Sequence, residues 1–171
     1  MLAGPITRRV ALVALGALAC PSALAIKSAR AEAGLRIRDI VVDVSRLRDW
    51  AGDLTAEWVQ QELPGALARS LAGHIAPEDR NGATLVAEID YIYLSPTSGG
   101  TGKRGGFQDT LAGALILRGP RGGVAAETPL KAIMPYSPMS VDATLVVEGF
   151  HGRVVALADA FAEWAPRELG L

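Results

Sequence analysis

Residues 83–94, ATLVAEIDYIYL, carry the longest period-two alternation of apolar and polar residues in the chain. On an extended backbone, successive side chains point to opposite faces. Leu85, Ala87, Ile89, Tyr91 and Tyr93 therefore share one side of a predicted strand, and Val86, Glu88, Asp90, Ile92 and Leu94 share the other. The reading places the two tyrosines in a core and the two carboxylates in water. The strand leads directly into residues 95–107, SPTSGGTGKRGGF, whose glycines and Lys103-Arg104 pair suit neither helix nor sheet and predict a projecting mobile loop.

Working outward, residues 110–118, TLAGALILR, read as a second strand against the core, with Gly113 marking a bulge or a close backbone approach. After the turn at Gly119 to Gly123, Val124, Ala126, Leu130, Ala132 and Met134 alternate with Glu127 and Lys131, completing an antiparallel meander. Pro129 places this last strand at a sheet edge, where its missing N–H does no harm.

Upstream, residues 35–44, LRIRDIVVDV, predict a first strand with Ile37 and Val41 on one side and Ile40, Val42 and Val44 on the other. Ser45 to Gly52 reads as a polar connection containing Trp50. Ala56, Val59, Leu63, Leu67 and Leu71 then recur at helical spacing from a start near Asp53 or Thr55. Pro64 interrupts that stripe and predicts either a kink or two abutting helices. His74 reads as a cap at the helix end. Beyond a stiff linker at residues 135–140, Phe150, Val154, Leu157, Phe161 and Trp164 form the stripe of a final helix that Pro166 ends.

The expected fold is α+β: a two-layer sandwich with a mainly antiparallel four-stranded sheet, two principal helices on one face, and element order β-α-β-β-β-α. One such domain is expected over residues 32–171.

The first 31 residues have a different character. Arg8 and Arg9 precede ten uncharged residues, Val10 to Ala19, and small residues at Ala23 and Ala25, then Ala29 and Ala31, offer peptidase sites. This is the three-part pattern of a secretory signal, with cleavage after Ala25 or Ala31. Thr7-Arg8-Arg9-Val10-Ala11-Leu12 is similar to the twin-arginine export motif, with Ala11 in place of its Phe and Val13 in place of its Lys. Cys20, the only cysteine, is the candidate for lipid modification. The expected location is therefore the periplasm, with membrane attachment only through an uncleaved signal or a lipidated Cys20. The full chain carries 17 basic and 18 acidic residues, but Arg8, Arg9, Lys27 and Arg30 precede Glu32, so loss of residues 1–31 leaves a net charge of −5. An acidic domain without a basic stripe excludes nucleic acid as the main partner.

The chemistry-bearing candidates are few. Gly99 to Arg104 looks like a phosphate loop only superficially, because Thr97 and Arg104 occupy positions that need Gly and Ser or Thr. Lys103, Arg104 and Phe107 are the loop residues suited to an anionic or amphipathic partner. Glu88 and Asp90 lie two apart on one strand face, and His151 has Asp142, Glu148 and Asp159 near it in sequence, so a small hydrolase or isomerase would need these groups in one pocket. With two histidines, and no cysteine once cleavage follows Ala25 or Ala31, no metal site and no cofactor motif is read. A third reading is an apolar-ligand carrier, with Tyr91, Tyr93 and the helix stripes lining a cavity. Trp58 and Trp164 read as core aromatics on their helices.

In element order, residues 35–165 resemble small exported proteins and lipoproteins of the Gram-negative envelope, among them uncharacterised alphaproteobacterial families, auxiliary lipoproteins of lipid transporters and activators of cell-wall synthases. The signal, the absence of a catalytic set and the projecting loop lead to the expected function, a non-enzymatic envelope accessory or binding module whose partner is another envelope protein or an amphipathic ligand. The resemblance is one of layout. It includes no diagnostic motif, so it assigns no residue a role.

Overall fold

The structure, a computed structural model, describes residues 34–95, 108–135 and 146–171. Strand β1 (Ile37–Asp43) is followed by helices α1 (Ser45–Ala51) and α2 (Asp53–Ser70), a 3-10 turn at Ala72–His74, strands β2 (Ala83–Tyr93), β3 (Gln108–Arg118) and β4 (Val124–Pro135), and helix α3 (Val146–Glu168). The strands form one sheet in the order β1-β2-β3-β4. β1 runs parallel to β2, and β2, β3 and β4 are successively antiparallel. A parallel neighbour demands a crossover of roughly a dozen residues or more, which α1 and α2 provide. The architecture is the expected α+β sandwich, a mixed sheet with α2 and α3 as its principal helices.

One sheet face and the two long helices enclose the core. Leu85, Ala87 and Ile89 of β2 and Leu111 and Leu115 of β3 pack with Val59, Leu63 and Leu67 of α2 and Val154, Leu157 and Phe161 of α3. Along the helix seam His151 meets Trp58 and Glu62, and Asp159 meets Arg69, so residue numbers rise together and the helices point the same way. Helix α2 passes through Pro64 as one element, with Leu63, Ala66 and Leu67 buried around it. Its unbroken stripe outweighs the lost hydrogen bond.

Three register shifts correct the strand expectations. The first concerns the tyrosines. Ile89 opposes Gly113 while Tyr91 opposes Ala112, so Asp90 is an extra residue, and the alternation changes phase there. Tyr93 is 45% exposed and Ile92 5% exposed, the reverse of the expected order. Tyr91 likewise lies on the sheet face away from the long helices. In β1 a shift between Ile37 and Asp39 puts Ile37 in the core with Val42 and Val44 and leaves Val41 exposed. In β4 a shift next to Ala125 turns Val124 outward.

The phase change in β2 has a direct test. Ile92→Ala is expected to cost about 2–4 kcal/mol, as a core truncation does, whereas Tyr93→Ala should fall within about 0.5 kcal/mol. Urea denaturation of the two variants measures both. A larger loss for Tyr93→Ala would return that side chain to the core.

Two helical expectations also change. Ser45 to Ala51 is helix rather than a polar connection, with Leu47 fully buried. Gly52 separates it from α2 at φ +82°, a conformation that favours glycine, and its N–H donates to Arg48 O at 3.1 Å while its own carbonyl accepts from Ala56 N. On α3 the buried stripe ends on Ala165, with Trp164 exposed and Phe150 half-buried. The helix continues past Pro166 to Glu168. Trp58 packs partly buried against the core, and His74 Nδ1 lies 3.3 Å from Leu35 O, so this ring fastens the approach to β1.

Candidate functional site

The end of the sheet from which the glycine-rich segment leaves is held by a buried polar knot. β2 delivers Ser95 and β3 begins with Gln108 and Asp109, and α3 places Arg153 above them. Arg153 Nε donates to Asp109 Oδ2 at 2.7 Å, a terminal guanidinium nitrogen donates to Asp109 Oδ1, and the same nitrogen donates to Ser95 O at 2.8 Å. Ser95 N–H donates to Asp109 Oδ1 at 2.9 Å, and Ser95 Oγ donates to Gln108 O at 2.8 Å. The side chains of Arg153 and Asp109 are 10% and 4% exposed. The two-pronged geometry matches a planar guanidinium to a carboxylate, the strongest neutralising arrangement available to a buried acid. Arg153 also lies over the Phe150 ring at 5.2 Å.

Sequence reasoning missed this knot, although both residues leave a signal. Asp109 is in phase with the buried Leu111 and Leu115, and Arg153 sits three residues after Phe150 and four before Leu157. A charge within an apolar stripe calls for a buried partner. A strand read from Thr110 instead of Gln108 leaves Asp109 outside both the strand and the loop.

A second cluster lies farther back on the same strand. β1 ends opposite Glu88, so β2 outruns it, and α1 covers the bare edge that results. Arg46 reaches Glu88 at 3.2 Å and Asp90 at 3.1 Å. The Trp50 indole N–H donates to Ile92 O at 3.4 Å, and its ring lies 5.7 Å from that of Tyr91. The Arg46 guanidinium is held firmly protonated, first by its hydrogen bond to Asp90. Asp43 caps the turn into α1, accepting from Ser45 Oγ at 2.6 Å and Ser45 N–H at 2.9 Å. These hydrogen bonds, the hydroxyl's first, lower the Asp43 pKa below 3.8. A depressed carboxyl contributes stability above its unfolded value and loses it as the pH falls through the folded one, so the Asp43 contribution fades as the pH falls below the ordinary carboxylate range.

The sequence candidates do not assemble into one catalytic pocket. Glu88 and Asp90 are tied to Arg46 beside the open sheet face, whereas His151 belongs to the helical layer, where Nε2 lies 3.3 Å from Glu62 Oε1 and the ring 5.2 Å from Trp58. Tyr91 and Tyr93, expected to line a ligand cavity, are exposed on the open face. Arg8, Arg9, Cys20, Lys103, Arg104, Phe107 and Asp142 lie outside the described residues. Among the described residues, no three His, Cys, Asp or Glu side chains gather as a metal site.

No protein-family model matches the chain, and no curated protein matches it in sequence. Among solved structures it is similar to a minor lipoprotein from Acinetobacter baumannii, at 16% identity and a TM-score of 0.47, over 77% of this chain and 91% of that one. A Caulobacter crescentus protein named as a lipoprotein gives 9% identity and 0.47, over 76% and 86%. Uncharacterized lipoprotein B from Nitrosomonas europaea gives 14% and 0.32, over 79% and 81%. None of these likenesses transfers a functional residue.

Proposed function

We propose that this chain is an exported, non-enzymatic accessory or binding module of the cell envelope, which engages its partner through the segment between Ser95 and Gln108. The observation that carries this reading is the Arg153–Asp109–Ser95 knot at the base of that segment. A buried ion pair is seldom the most stabilising choice, since apolar residues of equal volume often do as well. What it adds is position: the guanidinium fastens both strands of the hairpin to α3. A segment whose two ends are fixed loses less freedom when it binds. Lys103, Arg104 and Phe107 then offer two cations and an aromatic ring to an envelope protein or an amphipathic ligand. Export rests on the signal pattern around Arg8 and Arg9, and anchoring, where it occurs, on Cys20.

The experiment compares the full chain with a deletion of residues 99–106 and with a Lys103→Ala/Arg104→Ala/Phe107→Ala variant, using cross-linking in the producing bacterium's envelope and mass spectrometry. One species recovered with the full chain and lost with both variants supports the reading. Recovery that is unchanged by either variant, or no recovery at all, overturns it. The hydrolase and carrier alternatives lose their motivating geometry, because Glu88 and Asp90 are separated from His151 and the tyrosines face outward.

A further inference from the structure

The sheet has two edges, and they are finished differently. β4 carries Pro129, Lys131 and a register shift beside Ala125, all recognised devices against pairing with a further strand. Among the described residues, backbone pairing on the outer side of β1 is confined to its start, where Ala76 N–H donates to Ile37 O at 2.8 Å and Ile75 forms an isolated parallel bridge with Ile37. From Asp39 to Asp43, among the described residues, no strand pairs with its outer edge. That stretch, DIVVD, contains neither proline nor lysine. An open groove of about 630 Å³ lies against it, lined by Val41, Val42, Arg48 and Gln60 among others.

We propose that the outer edge of β1 from Asp39 to Asp43 is a docking site for an extended peptide added as a fifth strand. Its preferred sequence has a basic residue at each end of a three-residue apolar centre. The pattern follows from register. Asp39, Val41 and Asp43 oppose Thr84, Val86 and Glu88 on the open sheet face, whereas Ile40 and Val42 face the helical side. A fifth strand therefore meets carboxylates at both ends and aliphatic side chains between them. Backbone hydrogen bonds give such additions their affinity, and the alternate side chains give specificity. A second copy of β1 fits less well, because antiparallel pairing centred on Val41 sets each Asp39 against the other copy's Asp43.

The test is a titration of the isotope-labelled full chain, followed by amide NMR shifts, with the synthetic peptide acetyl-KVIVK-amide and its charge-reversed control acetyl-EVIVE-amide. The basic peptide is expected to shift the amides of Asp39 to Asp43 and to bind more tightly than the acidic one. Asp39→Lys, at an exposed position, should weaken the basic peptide by about five-fold and abolish the preference, since one cation and one carboxylate then flank Val41, while its own spectrum reports that the fold is intact. Shifts confined to other elements, equal binding of both peptides, or no binding would each overturn the proposal.

Discussion

Arg153→Met is expected to lower the unfolding free energy by about 3–5 kcal/mol, the usual result of leaving one member of a buried ion pair alone. Asp109 is nearly inaccessible, and the guanidinium engages both of its oxygens. Methionine replaces the volume of the stem but none of the donors. The stranded carboxylate retains the Ser95 N–H and must take up water or a proton. Arg153→Lys keeps the charge but cannot span two carboxylate oxygens and the Ser95 carbonyl in one plane, so its loss should fall between those of the parent and Arg153→Met. Urea unfolding at neutral pH measures the series. A loss below about 1 kcal/mol for Arg153→Met, in the range of exposed pairs, would mean that the pair is solvated in solution.

Gly113→Ala is the second large effect, with an expected loss of about 3 kcal/mol or more, at the upper end of overpacking costs. A Cβ built on Gly113 would overlap Glu88 O and lie 3.0 Å from Ile89 Cα. Both are backbone atoms of the neighbouring strand, so no side-chain rotation relieves the contact. The crowding arises where the extra residue Asp90 bends β2 toward β3. Gly123→Ala is the matched control, since its Cβ would meet nothing within 4 Å. That variant should stay within about 0.5 kcal/mol of the parent. Thermal unfolding of the two variants compares them, and equal midpoints would show that the bulge can relax.

Gly113 also shows how far the sequence can be read. A glycine inside an apolar strand pattern signals a bulge or a close approach, and the structure has both. What the pattern cannot give is which strand gains the residue. Past Asp90 both phases carry large residues, Tyr91 and Tyr93 in one and Ile92 and Leu94 in the other, so the pattern does not say which set turns inward once Asp90 shifts the phase. The helix stripes were legible because Val59, Leu63 and Leu67, or Val154, Leu157 and Phe161, depend only on helical spacing. Element order followed from those stripes and from the turns between them. Trp164 misled because a large aromatic outweighs the neighbouring Ala165, the residue that actually faces the core.

The candidate site was less legible than the fold, for a physical reason. Ser95, Asp109 and Arg153 are joined by contacts spanning 14, 44 and 58 residues, and no local pattern encodes such separations. A charge in phase with an apolar stripe is a sign that a partner exists without saying where. Glu88 and Asp90 were visible as a pair, but the Arg46 that holds them belongs to a helix that composition alone presents as a connection.

Arg153 and Asp109 act as one unit at the hairpin base, and a double-mutant cycle tests that most directly. Arg153→Met, Asp109→Leu and the combined variant are unfolded in urea, and the coupling energy is taken from the three losses. Coupling of about 2 kcal/mol or more is expected, with the double variant more stable than either single one, because replacing a buried pair together removes the stranded charge. Losses that add to within about 0.5 kcal/mol would contradict it, and the hairpin base would then owe its position to apolar packing alone.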